Sequence, residues 1–416
     1  MSVDESLAYL TKGAVDVVTE KELRRKLADS LSTGVPLRVK VGFDPSAPDI
    51  HLGHTVLLRK MKHFQDLGHT VIFVIGDFTG MIGDPTGRSR TRPELSAEQI
   101  QTNAETYKAQ AFTILDPART VIRFNSEWLG KLGAEGVVRL AARYNVARML
   151  ERRDFRQRFE RGESIRMHEF LYPLAQAYDS VELAADVELG GTDQLFNLNV
   201  GRDIMPGYDL APQVVLTVPL LEGTDGVEKM SKSLGNCIGV TEPAREIFGK
   251  VMSISDTLMW KYYLLCTDLS VEEIDALQAD VEAGSVHPRD VKMDLARRIV
   301  ADFHDARAAE DAAAEFTRVF ASHQTPDDVP EIRLNDGHPA LVAGGEGPSL
   351  GLAVLLAEEG MAASRTAARR LLSQGAVSLD GEKTTEEHAV LSRERLRNGV
   401  LIRVGKRRYL RVRADV

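Results

Sequence analysis

Cysteine is scarce in this chain, with only Cys237 and Cys266 among 416 residues. Two thiols in that length make neither a disulfide framework nor a cysteine-based metal site, so the expectation is two reduced thiols in a cytoplasmic protein with no structural metal. Long apolar runs are missing as well. The most hydrophobic short stretch, Val71-Ile72-Phe73-Val74-Ile75, has the length of a strand, far short of the ~20 residues of a membrane span, so no membrane is expected. Met1-Ser2-Val3-Asp4-Glu5 offers no basic segment leading into an apolar one, which argues against a secretory leader. Positive charge is not in excess either: 52 Lys and Arg against 61 Asp and Glu leave a net charge of −9. That excludes a protein coated in basic residues but not one with a segregated basic patch.

Such a patch is present near the C-terminus. Between Arg393 and Arg413 stand Arg393, Arg395, Arg397, Arg403, Lys406, Arg407, Arg408, Arg411 and Arg413, opposed only by Glu394. The composition is otherwise that of a globular protein, on a chain long enough for two or three domains.

The first 38 residues read as helical and charged. An alternating strand from Leu37 to Phe43, a helix from about His51 to Leu67 stopped by Gly68, and the buried strand Val71–Ile75 make a βαβ unit, hence a parallel sheet. Residues 94–160 read as mostly helical. The arginine-dense stretch 143–161 is either a solvated helix or a contact with RNA or another subunit. Further strands are expected at Ala185–Leu189 and 213–221. Four divisions follow: 1–240 around the sheet, a helical region 241–325, a linker 326–348 rich in Pro, Gly and Asp, and a small α+β module 349–416.

Three loops follow strands and so lie on the carboxyl rim of the sheet, where open α/β sheets bind ligands: Asp44–His54, Gly76–Arg92 and Gly190–Gln194. His51 and His54 share one face of a helix N-terminus, which favours phosphate, and Gly53 between them leaves room for an adenine ring against the backbone. About 180 residues later, Lys229-Met230-Ser231-Lys232-Ser233 places two ammonium groups in a small-residue loop. They suit a clamp for a triphosphate as charge builds on pyrophosphate. Nucleotidyl transfer to a carboxylate needs positioning and charge stabilisation and no general base.

These segments resemble the signatures of class I aminoacyl-tRNA synthetases, with His51-Leu52-Gly53-His54 as the "HIGH" motif and Lys229 to Ser233 as an intact "KMSKS" motif. Gly42-Phe43-Asp44-Pro45, Thr79 to Pro85, Tyr172 to Asp179 and Gly190 to Gln194 are similar to the tyrosyl and tryptophanyl branch, and Gln176-Ala177-Tyr178-Asp179 leans to tyrosine. The resemblance spans nearly the whole chain. It implies an α/β fold: a Rossmann-like parallel-sheet catalytic domain, a helical anticodon-binding domain and an S4-like RNA-binding domain. The implied activity is ATP-dependent tyrosyl-adenylate formation followed by transfer to tRNA(Tyr), with Mg²⁺ accompanying ATP.

Residue by residue, the resemblance assigns His51, His54, Lys229 and Lys232 to catalysis, and Gly53, Met230 and Ser231 to ATP. Asp193 and Gly191 go to the ribose, Arg88 and Arg92 to pyrophosphate. Tyr172, Gln176 and Asp84 go to the substrate ammonium, Asp44 and Gln194 to its amino and carboxylate end, and Asp179 to the phenol. It also implies a homodimer formed through about 120–165. One position departs from the familiar bacterial pattern: Lys40 stands two residues before Gly42, where a tyrosine helps read the hydroxyl, and a second bacterial branch has lysine there. Lys40 is therefore a possible substrate contact or a paired structural lysine.

In the C-terminal module Ser364 caps a helix whose Arg365, Arg369 and Arg370 share roughly one face suited to phosphates. A hairpin follows around Gly405-Lys406. Two rival readings stay open at this stage: a tryptophanyl enzyme on the same fold, and a non-catalytic RNA-binding relative.

Overall fold

A sheet of six strands organises the first part of the chain. The computed structural model describes residues 1–45, 50–84, 97–321, 329–335, 338–344, 347–386, 389–391, 393–405 and 408–414. They form two units, Met1–Ala312 and Ala313–Val416. Arg88 and Arg92 lie outside the described residues.

The first unit opens with α1 (Val3–Thr11), β1 (Asp16–Val18) and α2 (Glu20–Thr33). Both helices begin at capping boxes, Ser2 with Glu5 and Thr19 with Glu22, which satisfy the first amides reciprocally. Next come β2 (Arg38–Phe43), α3 (Leu52–Asp66), β3 (Thr70–Ile75), α4 (Asp77–Ile82), α5 (Ala97–Ala111), β4 (Thr120–Phe124) and α6 (Ser126–Leu129). The short helices α7 (Gly133–Ala141), α8 (Val146–Met149) and α9 (Arg153–Glu160) lead to the long α10 (Met167–Glu182). Then β5 (Val187–Gly191), α11 (Leu195–Ile204) and β6 (Val214–Val218) close the sheet region.

The strand order is β1-β6-β5-β2-β3-β4, parallel throughout except for β1 at the edge. The chain winds outward from β2 through β3 to β4, then returns across the sheet to lay β5 against the other side of β2. Strand order therefore reverses between β2 and β5, and the crevice beyond the carboxyl ends of these two strands is where ligands bind such sheets. Val39 and Val41 of β2, Val71 and Phe73 of β3, and Val187 and Leu189 of β5 are buried. This matches the near-continuous apolar runs that parallel strands show when both faces are covered.

Two strands escape a reading based on periodicity. β1 falls within the stretch expected to be helical up to residue 38, and β4 within 94–160. Both are short strands at the ends of the sheet, too brief for alternation to stand out between flanking helices.

Helices α12 (Ala244–Ser253), α13 (Asp256–Cys266), α14 (Val271–Glu282), α15 (Pro288–Phe303) and α16 (Ala306–Phe316) follow, as expected for a helical region. Tyr262, Tyr263 and Phe248 are completely buried there, and the Tyr263 hydroxyl donates to the Val291 carbonyl at 2.7 Å. Arg59, in the middle of α3, forms ion pairs with Asp268 and Asp302, joining the sheet to this helical array.

The second unit holds a five-stranded sheet ordered β11-β10-β13-β14-β7 and a three-stranded one ordered β12-β9-β8. Its elements are β7 (Glu331–Leu334), β8 (Leu341–Gly344), β9 (Gly347–Gly351), α17 (Leu352–Glu358), α18 (Arg365–Ser373), β10 (Val377–Leu379), β11 (Glu382–Thr384), β12 (Val390–Leu391), α19 (Arg393–Asn398), β13 (Val400–Val404) and β14 (Arg408–Ala414). Val400, Ile402, Val404, Leu410 and Val412 alternate inward onto Leu352, Leu355, Leu356 and Leu372. The expected hairpin is β13 with β14, and Ser364 accepts from the Ala367 amide at 3.1 Å to cap α18. The segment 326–348, expected to be a linker, is instead part of the folded second unit where it is described. It contains β7, which pairs in parallel with β14, and β8. Pro, Gly and Asp punctuate this segment densely enough to hide a four-residue strand such as Glu331-Ile332-Arg333-Leu334.

Candidate active site

A cavity of about 330 Å³ opens at the crevice between β2 and β5. Its lining brings together Asp44, His51, Gly53, His54, Asp84, Tyr172, Gln176, Asp179, Gly191, Asp193, Gln194, Lys229, Met230 and Ser231, residues spread over 188 positions of the chain. Lys232 and Lys40 are not part of that lining.

One end of the cavity is closed by α10. Asp179 is 3% exposed; its carboxylate accepts from the Trp128 indole N–H at 2.8 Å and the Asn125 amide at 3.4 Å. Burial pushes its pKa up to about 7, against the pull of Lys40 and these two donors. One and two helical turns earlier stand Gln176, whose buried Oε1 has no hydrogen-bond partner, and Tyr172. The Tyr172 hydroxyl donates to Asp44 Oδ2 at 2.7 Å, and burial, with Asp44 beside it, holds that phenol well above its usual pKa. Asp44 Oδ1 accepts from Thr79 at 2.7 Å. A Cβ on Gly76 would overlap both of those groups, so only glycine lets β3 end this close to Asp44. Gln194 donates to Asp84 at 2.9 Å and accepts from Asn197 at 3.0 Å. Three carboxylates and a lone amide oxygen thus surround a space bounded by an aromatic ring: an acceptor-rich pocket.

The other end is built on α3. His51 is its N-cap and donates its backbone N–H to His54 Nδ1 at 3.2 Å. The two rings lie 3.9 Å apart between centroids. A Cβ on Gly53 would meet the His51 ring at 3.0 Å, so the glycine is needed for the histidine as well as for a ligand. Burial and the Lys232 charge lower the His51 pKa to about 4, leaving a neutral imidazole at physiological pH.

The chain just after the lysine loop is tied to this helix through backbone, and the loop itself to the segment that follows β6. Leu52 N–H donates to the Ile238 carbonyl at 2.8 Å, and Met230 N–H to the Leu221 carbonyl at 2.8 Å. The Lys229 ammonium lies 3.9 Å from Asp193. Burial raises the pKa of Asp193 while Lys229 opposes it. Asn236, 4% exposed, holds the loop from beneath: it accepts from Ser231 N–H at 2.9 Å and donates to Asp225 at 2.7 Å.

The sequence profile of the class I tRNA synthetases for tryptophan and tyrosine (W and Y) matches residues 32–321. The chain belongs to this family. A second profile, the tyrosine–tRNA ligase SYY-like C-terminal domain, matches 323–412. The chain is 55% identical over 413 residues to a tyrosine–tRNA ligase of Geobacter sulfurreducens, covering 99% of both. It is 54% identical to one from Desulfotalea psychrophila, covering 99% of this chain and 98% of the relative. Among solved structures it is similar to a tyrosyl-tRNA synthetase of Archaeoglobus fulgidus complexed with L-tyrosine, with a TM-score of 0.60 and 25% identity, over 74% of this chain and 99% of that one.

Several residues that build the synthetase site carry no signal in a single sequence. Asn125 and Trp128 meet Asp179 only after α6 is folded against α10, whereas Thr79, which opens the Thr79–Pro85 string, is legible as part of a motif and meets Asp44 only once α4 is in place. Asn236 could be noticed three residues after the lysine motif, but its grip on Ser231 and Asp225 needs the folded loop.

Proposed function

We infer that the chain is a tyrosine–tRNA ligase. The tyrosine carboxylate attacks the α-phosphorus of ATP, pyrophosphate leaves, and a tyrosyl-adenylate remains. The 3′-terminal ribose hydroxyl of tRNA(Tyr) then attacks the tyrosyl carbonyl and AMP leaves. The observation that carries the reading is the pairing, in one cavity, of the buried Asp179 at its closed end with the His51–His54 helix terminus and the lysine loop at the other. The names of the relatives at 54 and 55% identity and the C-terminal profile agree with tyrosine and weigh against tryptophan.

The site residues fit these roles. Asp179 accepts the phenol proton in a hydrogen bond. The orphaned Gln176 Oε1, the Tyr172 hydroxyl and Asp84 receive the substrate ammonium, while Asp44 and Gln194 fix its amino and carboxylate end. Asp193 and Gly191 hold the ribose. His51, neutral at physiological pH, and His54 meet the phosphates as donors over the α3 terminus. Lys229 and Lys232, with Met230 and Ser231 between them, close on the triphosphate, and Arg88 and Arg92 belong to pyrophosphate. Mg²⁺ enters as part of the ATP substrate, retaining waters and phosphate oxygens as its ligands.

A site that hydrogen-bonds the phenol leaves Asp179 unmatched when phenylalanine enters, a principle for which tyrosyl-tRNA synthetases are the usual illustration. Arg365, Arg369 and Arg370, all exposed on α18, suit tRNA phosphates. A homodimer is the fitting assembly. Val138, Val146, Phe159 and Met167 are 59–76% exposed along α7–α10, and apolar side chains of that size gather where a partner covers them. With ATP and tRNA as substrates and no helix among the described residues able to cross a membrane, the cytoplasm is the proposed location.

The test is amino-acid-dependent ATP–pyrophosphate exchange without tRNA. Exchange with tyrosine alone is the expected result. Exchange with tryptophan would overturn the specificity, and none with any amino acid would favour an RNA-binding protein without catalysis.

A further inference from the structure

Lys40 is completely buried, and its partners show what it does. It is directly paired with Glu188 across β2 and β5, and its ammonium donates to Glu188 Oε1 at 2.7 Å, to Ser180 Oγ at 3.0 Å and to the Gln176 carbonyl at 3.1 Å. Its three hydrogens are thus used, and none is left for a ligand. The other Glu188 oxygen accepts from Ser180 at 2.7 Å and from Gln213 at 2.8 Å. Gly201 makes room for this arrangement, since a Cβ there would sit 2.5 Å from Gln213 Nε2.

Two of the three lysine contacts fall on α10, at Gln176 and Ser180, on either side of Asp179 in sequence. We propose that Lys40, itself held by Glu188, is a positioning residue for hydroxyl recognition: it acts through Asp179, fixing that turn of α10 and favouring its carboxylate form, and does not touch the substrate. This deepens the tyrosine-ligase reading and rests on it.

The surroundings of Asp179 set the sign of the effect. The charged groups facing it are Lys40 from β2, which favours the carboxylate, and Glu188 from β5, which opposes it more weakly. Tyr172 lies on its own helix, with Asp44 and Asp84 beyond. From the N-cap and first turn of α6 it accepts from the neutral Asn125 and Trp128. Asp77 of α4 is occupied by Ser126 and the Phe78 amide. With the Asp179 pKa already near 7, removing the Lys40 charge raises it further, so that the neutral carboxyl, which reads a phenol poorly, predominates at pH 7.

The experiment measures kcat/KM for tyrosine and phenylalanine in pyrophosphate exchange from pH 6 to 8.8, with KM for ATP and the melting temperature alongside. The proteins are wild type, Lys40→Met, Glu188→Gln and the double variant Lys40→Met/Glu188→Gln. The double variant removes both members of the buried pair, leaving neither Lys40 nor Glu188 as a stranded charge, so it separates the cost of breaking the pair from the effect on Asp179. Its acid limb for tyrosine moves to higher pH, with a loss at pH 7 of roughly tenfold per unit of displacement. That loss is recovered by pH 8.8, the tyrosine/phenylalanine ratio falls at pH 7, and KM for ATP is unchanged. Glu188→Gln alone moves the limb to lower pH.

If the lysine variants do not fold, the direction of the Glu188→Gln shift decides. A folded double variant with the wild-type pH profile and ratio overturns the proposal, leaving the pair a structural one. A loss equal at every pH overturns it in favour of a direct contact. Absence of tyrosine-dependent exchange in the wild type is a different failure, that of the ligase reading itself.

Discussion

Asp179 is held in the fold at a cost to the free protein. Its folded pKa, about 7, lies above that of an unfolded aspartate. It therefore stabilises the fold fully only below the unfolded value, and that contribution is lost as pH rises through 7. Asp179→Asn removes the burden: the melting temperature at pH 8 is expected to rise relative to wild type, with the gain vanishing toward pH 4. The same change weakens tyrosine recognition at pH 8 about ten- to a hundredfold in kcat/KM, as expected for a charge-assisted hydrogen bond. Calorimetry across pH and exchange kinetics check both arms.

His51 titrates with the opposite sign. Its folded pKa, about 4, is depressed below the unfolded 6.5 by burial and Lys232, so its contribution is present above 6.5 and is lost as pH falls toward 4. His54→Ala and Lys232→Ala act on the ATP side. Each should slow exchange by tenfold or more while tyrosine binding, measured by equilibrium dialysis, stays within twofold. Loss of tyrosine binding in a folded variant would refute the assigned roles.

At the level of elements, the lysine loop depends on one amide. Asn236 accepts from Ser231 N–H and donates to Asp225, and these two hydrogen bonds of ~1 kcal/mol each fix the loop at Ser231, beside Met230. Asn236→Ala should therefore lower the exchange rate ten- to a hundredfold at subsaturating ATP and leave tyrosine affinity intact; equal loss of both would make it a general folding residue.

Much at this scale was legible in the sequence. The apolar run at Val71–Ile75 and the alternation ending at Phe43 mark β3 and β2. The described residues just after β2, β3 and β5 line one cavity, because these parallel strands all end on that rim. The shape of the pocket floor was not legible. Trp128 and Asn125 belong to a segment whose own sequence is unremarkable, and β4 and β7 are too short for a period to emerge. Lys40 was visible as a departure, but its partner Glu188 is 148 residues away, and only the β2–β5 register brings the two together.

For the whole molecule, the question is how an acidic protein gains a nucleic-acid partner. The chain's net charge is −9, yet Ala313–Val416 carries 15 Lys and Arg against 14 Asp and Glu, so the second unit is slightly basic and the acidity resides wholly in the first. Arg365, Arg369 and Arg370 are exposed on α18, and Arg365 is shared with Glu358 at 3.0 Å. If this face meets tRNA phosphates, its contribution depends on salt through counterion release, whereas adenylation in the first unit has no such dependence. Replacing all three arginines with alanine should raise KM for tRNA at low salt about ten- to a hundredfold. It should also reduce the slope of log(kcat/KM) against log salt by about 1 to 3, since each phosphate left without its arginine accounts for ~0.7–0.9. Tyrosine-dependent pyrophosphate exchange should not change. Truncation after Ala321 removes the second sheet as a whole, whereas a cut at 349 strands β7 without β14. The truncated enzyme is expected to keep exchange and lose most tRNA charging. If exchange fell as far as charging, the second unit would be supporting the first and the arginine face would not account for the loss. The triple variant, with its sheet intact, separates those two cases.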